Sequence, residues 1–329
     1  MTQVSEITDQ GHTSRELPKQ LRLGMGLTFA KMMLKNPGAL RRFMVMGPDE
    51  ERYVRPPREY EIPPFRERMR CCTSNEPYLR PTRWCNPREP EVIAMANELG
   101  AYELSDYEFA EAAYWFVKTK LVLEMLPLDS VSATLERGTG TCYHLTSLWI
   151  ALCRAAGIKA RYKTLIVTLP NEILNFETDE REAMTIDMFS RGVPEGEGEV
   201  CIDGKWVVGH VAMRAEIYAR AGLPITKFGE DSIGLTLELI PGTIKRFESL
   251  PWRLGITTKA LMLLAPAAME RANVVFAAEI PRGRNAIEEA GGIEAYDQNI
   301  RRQRELFSEE EIERKIKEAE RPQFVEFKE

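Results

Sequence analysis

Histidine, cysteine and net charge are all scarce in this chain. Three histidines (His12, His144 and His210) and six cysteines occur in 329 residues, and the formal net charge is −6. Six cysteines spread this thinly do not make the dense framework of a small secreted domain. Cys71, Cys72, Cys85, Cys142, Cys153 and Cys201 therefore read as reduced thiols, and the cytoplasm is the expected compartment. A mildly acidic chain is not expected to bind nucleic acid, because neutralising phosphates needs clustered Lys and Arg. Long apolar runs are missing as well. Leu23–Leu34 is interrupted by Lys31, and Ala260–Ala278 by Pro266, Glu270 and Arg271. Neither supplies the roughly 20 predominantly apolar residues of a transmembrane helix, so none is expected. Met1–Gln20 lacks the basic-then-apolar pattern of a secretory leader. There is no internal repeat, no low-complexity tract and no Gly-Lys-Ser/Thr phosphate loop. Cys71-Cys72 and Cys85 lack zinc-ribbon spacing. No metal and no cofactor is expected.

What is present is an ordinary globular balance, 44% apolar and 29% charged, enough for a sizeable core. Residues 1–76 read as a helical and extended N-terminal extension, 77–245 as the core, and 246–329 as a C-terminal helical appendage. In the extension, Leu17–Leu34 and Ala39–Met46 have helical apolar spacing, split by the breaker Asn36-Pro37-Gly38 and interleaved with Lys31, Lys35, Arg41 and Arg42. Such a basic amphipathic pair packs on the main domain or, alternatively, contacts a membrane surface or a protein partner. Arg55–Arg70 reads as an extended connector.

Capping chemistry marks the core helices. Asn86-Pro87-Arg88-Glu89 predicts a helix start, with the end near Gly100; Ser105…Glu108 predicts another, running to about Met125. After a turn at Pro127–Ser130, a third helix follows Gly138-Thr139-Gly140-Thr141-Cys142 and stops at Gly157. Strands are predicted over Ala160–Thr168, Glu197–Ile202, Trp206–Ala212 and Leu235–Leu239. Helices return over Thr258–Ala278, Asn285–Phe307 and the charged Ser308–Glu320.

Cys142 carries the chemistry. A cysteine in the first turn of a helix meets unpaired backbone N–H groups and the positive end of the helix dipole, which favour a thiolate and can donate to an oxyanion. The run from Gly140-Thr141-Cys142 through Leu145 and Leu148 to Ala151-Leu152-Cys153-Arg154-Ala155-Ala156-Gly157-Ile158-Lys159-Ala160-Arg161-Tyr162 closely resembles the core motif of transglutaminase-like proteins. Tyr78–Thr82, Ser132–Arg137, the hairpin Glu199-Val200-Cys201-Ile202-Asp203-Gly204-Lys205-Trp206-Val207 and Ala221–Pro224 are similar to flanking segments of that family. The resemblance spans about Tyr78 to Ile240. It implies an α+β, papain-type core in which the Cys-bearing helix packs on an antiparallel sheet. It also implies a Cys/His/Asp triad, with His four residues before the hairpin Glu and Asp four after the Trp. Cys142 matches, but Glu195 stands at the His position and His210 at the Asp position.

Asp203-Gly204 is a strong two-residue turn signal. It pairs Ile202 with Lys205 and, counting back, sets Glu197 opposite His210. Alternation then places Glu195, Glu197, Glu199, Trp206, Val208 and His210 on one face, with Glu195 diagonal to His210. His144, two residues past Cys142 on a helix, points well away from it and reads as structural; His12 sits in a polar tail.

These readings lead to a cysteine-dependent acyl-transfer enzyme acting on a small-molecule or peptide amide, ester or thioester. Cys142 is the nucleophile, His210 the base, and Glu197 or Glu195 the group that orients it. Two alternatives stay open: a catalytically inactive binding protein on the same scaffold, and acid–base chemistry by His210 and a carboxylate without the thiol.

Overall fold

The computed structural model describes residues 52–168, 192–303 and 316–317. The amphipathic pair within 17–46 and nearly all of Ser308–Glu320 lie outside the described residues. The elements are α1 Pro90–Glu98, α2 Asp106–Lys120, β1 Val122–Leu123, α3 Val131–Arg137, β2 Thr139–Gly140, α4 Cys142–Ala156, β3 Ala160–Thr168, β4 Val193–Ile202 and β5 Lys205–Gly209. They continue with α5 Ala215–Arg220, β6 Glu238–Leu239, β7 Lys245–Phe247, α6 Trp252–Leu264, α7 Pro266–Glu289 and α8 Ile293–Gln303. The fold is α+β: the central helix α4 lies on an antiparallel sheet ordered β5-β4-β3-β6, with β7 also paired to β3.

Helix α4 is buried all round because every neighbour packs on it. Leu145, Leu148, Trp149, Ile150, Ala151 and Leu152 have no exposed surface, and the turn at Gly157 ends the helix in the left-handed region with φ +92°. Trp149 shows how the helix meets the sheet. Its indole lies against Gly198 and Gly209, where an added Cβ would come within 2.6 and 2.4 Å of the ring. Its Nε1–H donates to the Ala110 carbonyl of α2 at 3.0 Å. One large side chain thus joins α2, α4 and the β4–β5 hairpin, and only glycine leaves room for it. Truncating such a residue to alanine costs about 3–5 kcal/mol.

The hairpin has the predicted register: Ile202 pairs with Lys205 and Gly198 with Gly209. Asp203 and Gly204 take φ of +50° and +77°, as a two-residue type I′ turn requires. Strand β4 begins at Val193, four residues before the expected start, and β5 ends at Gly209 rather than Ala212.

The Ser105 cap forms as expected, with Ser105 Oγ accepting from the Glu108 N–H while the Glu108 carboxylate accepts from the Ser105 N–H at 3.0 Å. That helix stops at Lys120, short of Met125, because the chain leaves it to form β1. The Asn86 cap is corrected. Asn86 Oδ1 accepts from the Arg88 N–H in a local turn, and the helix opens at Pro90, the second proline, with Glu89 as cap. The apolar stretch expected as one helix over Thr258–Ala278 is also corrected. It breaks before Pro266, and the two flanking helices meet at 97°. Among the described residues no single helix is long and apolar enough to cross a membrane. Residue 245, taken as the end of the core, falls inside β7, so the sheet continues into the segment assigned to the appendage.

Candidate active site

A short parallel ladder sets the approach to Cys142. Val122 pairs with Thr139 and Leu123 with Gly140, and the Glu124 N–H donates to the Gly140 carbonyl at 2.8 Å. Gly140 has to be glycine, since a Cβ there would lie 2.4 Å from that of His144. His144 is spent on this turn. Its Nδ1 accepts from the Thr141 N–H at 3.1 Å, and its Nε2 lies 3.2 Å from the Asp129 carboxylate. It faces away from chemistry, as its offset from Cys142 suggests.

Cys142 opens α4, half-buried, with Sγ 3.9 Å from the Pro194 carbonyl. The N–H groups of Gly196, Tyr143 and Cys142 itself are directed at the sulfur and favour its thiolate. They are outweighed. Enclosure by protein, followed by the nearby Glu195 charge, pushes the thiol well above its ordinary range. The resting sulfur is therefore protonated at neutral pH, because burial and Glu195 outweigh the thiolate preference that the helix start supplies.

Strand β4 explains which carboxylate does what. Its sequence, Glu195-Gly196-Glu197-Gly198-Glu199, turns glycines toward α4 and glutamates toward the opposite face. Across the ladder, Glu199 faces Arg161, Glu197 faces Lys163, and Glu195 faces Leu165. Glu199 is bound by Arg161 at 2.6 Å and Arg246 at 3.1 Å. Burial opposes its charge, but the two guanidinium groups and Lys163 hold its carboxyl below the usual range. Glu197 is bound by Lys163 at 2.9 Å and by the Ser232 hydroxyl. Glu195 has no cation from β3, and its Oε1 lies 3.4 Å from His210 Nε2, without hydrogen-bond geometry.

The placement of Glu197 beside His210 is therefore corrected. The β4–β5 pairing ends at Gly198–Gly209, the chain turns away at His210, and Lys163 claims Glu197 from the other side. His210 is fully buried. Its Nδ1 is 2.7 Å from the Tyr218 hydroxyl of α5, and its carbonyl accepts from Lys118 Nζ at 2.9 Å. Glu195 is the group common to thiol and imidazole: its charge is felt at the Cys142 thiol, and its carboxylate approaches His210, whose other ring nitrogen meets Tyr218.

Tyr218, Lys118 and Lys163 were not singled out from the sequence. For Lys118 a signal existed: it sits four residues after Tyr114 and three before Leu121, on the stripe that α2 turns to the core. Among the described residues no three His, Cys, Asp or Glu side chains converge as a metal site would require. Cys85 and Cys153 are buried in the core, whereas Cys72 is exposed.

Residues 93–209 match the transglutaminase-like superfamily. Among solved structures, the chain is similar to a candidate cysteine protease from Cytophaga hutchinsonii, at 19% identity and a TM-score of 0.32. That alignment covers 55% of this chain and 58% of the other, so the chain spans little more than half of that protein. No curated protein matches.

Proposed function

We propose that the chain, whose residues 93–209 match the transglutaminase-like superfamily, is a cysteine-dependent acyl-transfer enzyme, with Cys142 as nucleophile and Glu195 and His210 as the proton-accepting pair. The observation that carries this reading is Glu195, which approaches His210 Nε2 at 3.4 Å and whose charge acts on the Cys142 thiol. With the thiol protonated at rest, its proton leaves as the sulfur attacks rather than before. The Sγ–C bond forms, the proton passes to the Glu195–His210 pair, and the leaving group departs with a proton. Water, an amine or an alcohol then takes the acyl group and restores the thiol. The N–H groups around the sulfur favour negative charge developing there. Exchange of the family's His and Asp positions keeps one carboxylate and one imidazole at the site, with the carboxylate now on β4.

A non-catalytic binding protein is the second reading. It is favoured by the same raised thiol, since a Glu in the His position makes an unreactive sulfur in the absence of substrate.

An activated ester separates the two. Wild type treated with p-nitrophenyl acetate should gain one acetyl group on Cys142, located by peptide mass spectrometry. Cys142→Ser should lose that thioester, and His210→Ala should slow acylation by about 100-fold or more. An unmodified Cys142, or acylation indifferent to His210, would sink the catalytic reading.

A further inference from the structure

Lys118 is the largest unexplained charge in the interior. It lies on α2, has no exposed surface, and donates from Nζ to the His210 carbonyl and to Thr226 Oγ1, each at 2.9 Å. Both acceptors are neutral. The rest of its surroundings are rings: the Tyr218 ring centroid is 4.7 Å away and that of Tyr114 is 5.4 Å away. A buried ammonium costs several kcal/mol unless something compensates it. Thr226 and the main chain of His210 supply only dipoles, and a methionine of similar length would satisfy the core.

The contacts of Lys118 converge on one residue. It grips the backbone of His210, and it lies over the ring of Tyr218, whose hydroxyl meets His210 Nδ1. We infer that Lys118 is a positioning residue: it fixes His210 by its main chain and Tyr218 by its ring, and its positive charge disfavours a second one on the imidazole. The inference rests on the acyl-transfer reading for its purpose but not for its test.

The charged and titratable groups facing this site can be named element by element. From α2 there is Tyr114; from α5, Tyr218; from β4, Glu195 and Glu197; from the loop after α5, Glu230. Burial is the dominant influence on Lys118 and lowers it to about 7, with Glu230, Glu197 and Glu195 pulling in the opposite direction. Below that pH the ammonium is charged. Burial keeps Tyr114 and Tyr218 as neutral phenols throughout.

With only three histidines in the chain, the ring signal of His210 can be assigned by substitution and followed by NMR against pH in the full-length protein. Lys118→Met should move its protonation midpoint upward by about one pH unit or more, as loss of a nearby positive charge requires. Lys118→Arg, which keeps charge and donors, should restore the wild-type behaviour. Should the Met variant not fold, Thr226→Val serves: it weakens the support for the ammonium and should move the midpoint in the same direction. A His210 signal that is the same in every folded variant, whether titrating identically or never, overturns the inference. Acylation of Cys142 is scored separately, so an enzyme that fails the ester test leaves this result standing.

Discussion

The two faces of strand β4 are built on opposite principles. On the α4 side, Gly196 and Gly198, with Gly209 beside them on β5, leave no side chain, and geometry is set by contact alone: Tyr143 and Trp149 fill the space a Cβ would need. On the far side, Glu195, Glu197 and Glu199 are buried carboxylates whose position depends on charge. The first face has one tolerated shape. The second is graded, from two guanidinium partners at Glu199 to a lysine at Glu197 and only an imidazole at Glu195. Glu199 and Glu197 are held by cations, and Glu195, the carboxylate assigned to the proposed reaction, is the one that has none from β3.

The comparison breaks hardest at its middle rung. Lys163→Met orphans Glu197 and Asp231, both of which contact its ammonium, and should cost about 3–5 kcal/mol by chemical denaturation near pH 8. The sign of its pH dependence is fixed. Burial already raises the Asp231 carboxyl, so abandoned carboxylates take up protons as pH falls, and the deficit should shrink toward pH 5. A deficit that grows on acidification would mean that the ladder is not electrostatic.

On the glycine face, Gly209→Val forces a branched side chain against the Trp149 ring. Overpacking of this kind should cost about 2–3 kcal/mol, independent of pH over the same range. Equal pH dependence on both faces would erase the distinction.

The third substitution, Glu195→Gln, should change stability least and sharpen the comparison most. Removing the charge beside Cys142 lowers its thiol pKa, so iodoacetamide alkylation near pH 8 should accelerate by about tenfold, while ester turnover falls. A sulfur made more reactive but less competent is the signature of a carboxylate acting as a base. Slower alkylation would place Glu195 elsewhere in the mechanism.

Much of this architecture could be read from residues alone. Asp203-Gly204 set the hairpin register, Ser105…Glu108 the start of α2, and Cys142 and Gly157 bracketed the central helix. The alternation of Glu and Gly from 195 to 199 also announced two unlike faces, although which carboxylate meets His210 did not follow. That choice depends on where the ladder stops and on Lys163, which comes from a strand more than thirty residues earlier. Strand β7 was missed because Lys-Arg-Phe carries no periodic signal and its partner, β3, is about eighty residues away. Helix α7 was misjudged because Pro281 lies inside it, whereas a proline usually marks an end.

Arg154 bears on how the chain can be divided. Its buried guanidinium donates to the carbonyls of Arg80, Ala160 and Glu248, and the Glu248 carboxylate returns to Arg80. Three stretches far apart in the polypeptide are knotted at a single side chain, two of them outside residues 93–209. A fragment trimmed to the family boundaries would strand that cation with most of its acceptors gone. The matched segment and its flanks therefore share one buried anchor, and dividing the chain at the family boundaries cuts through it.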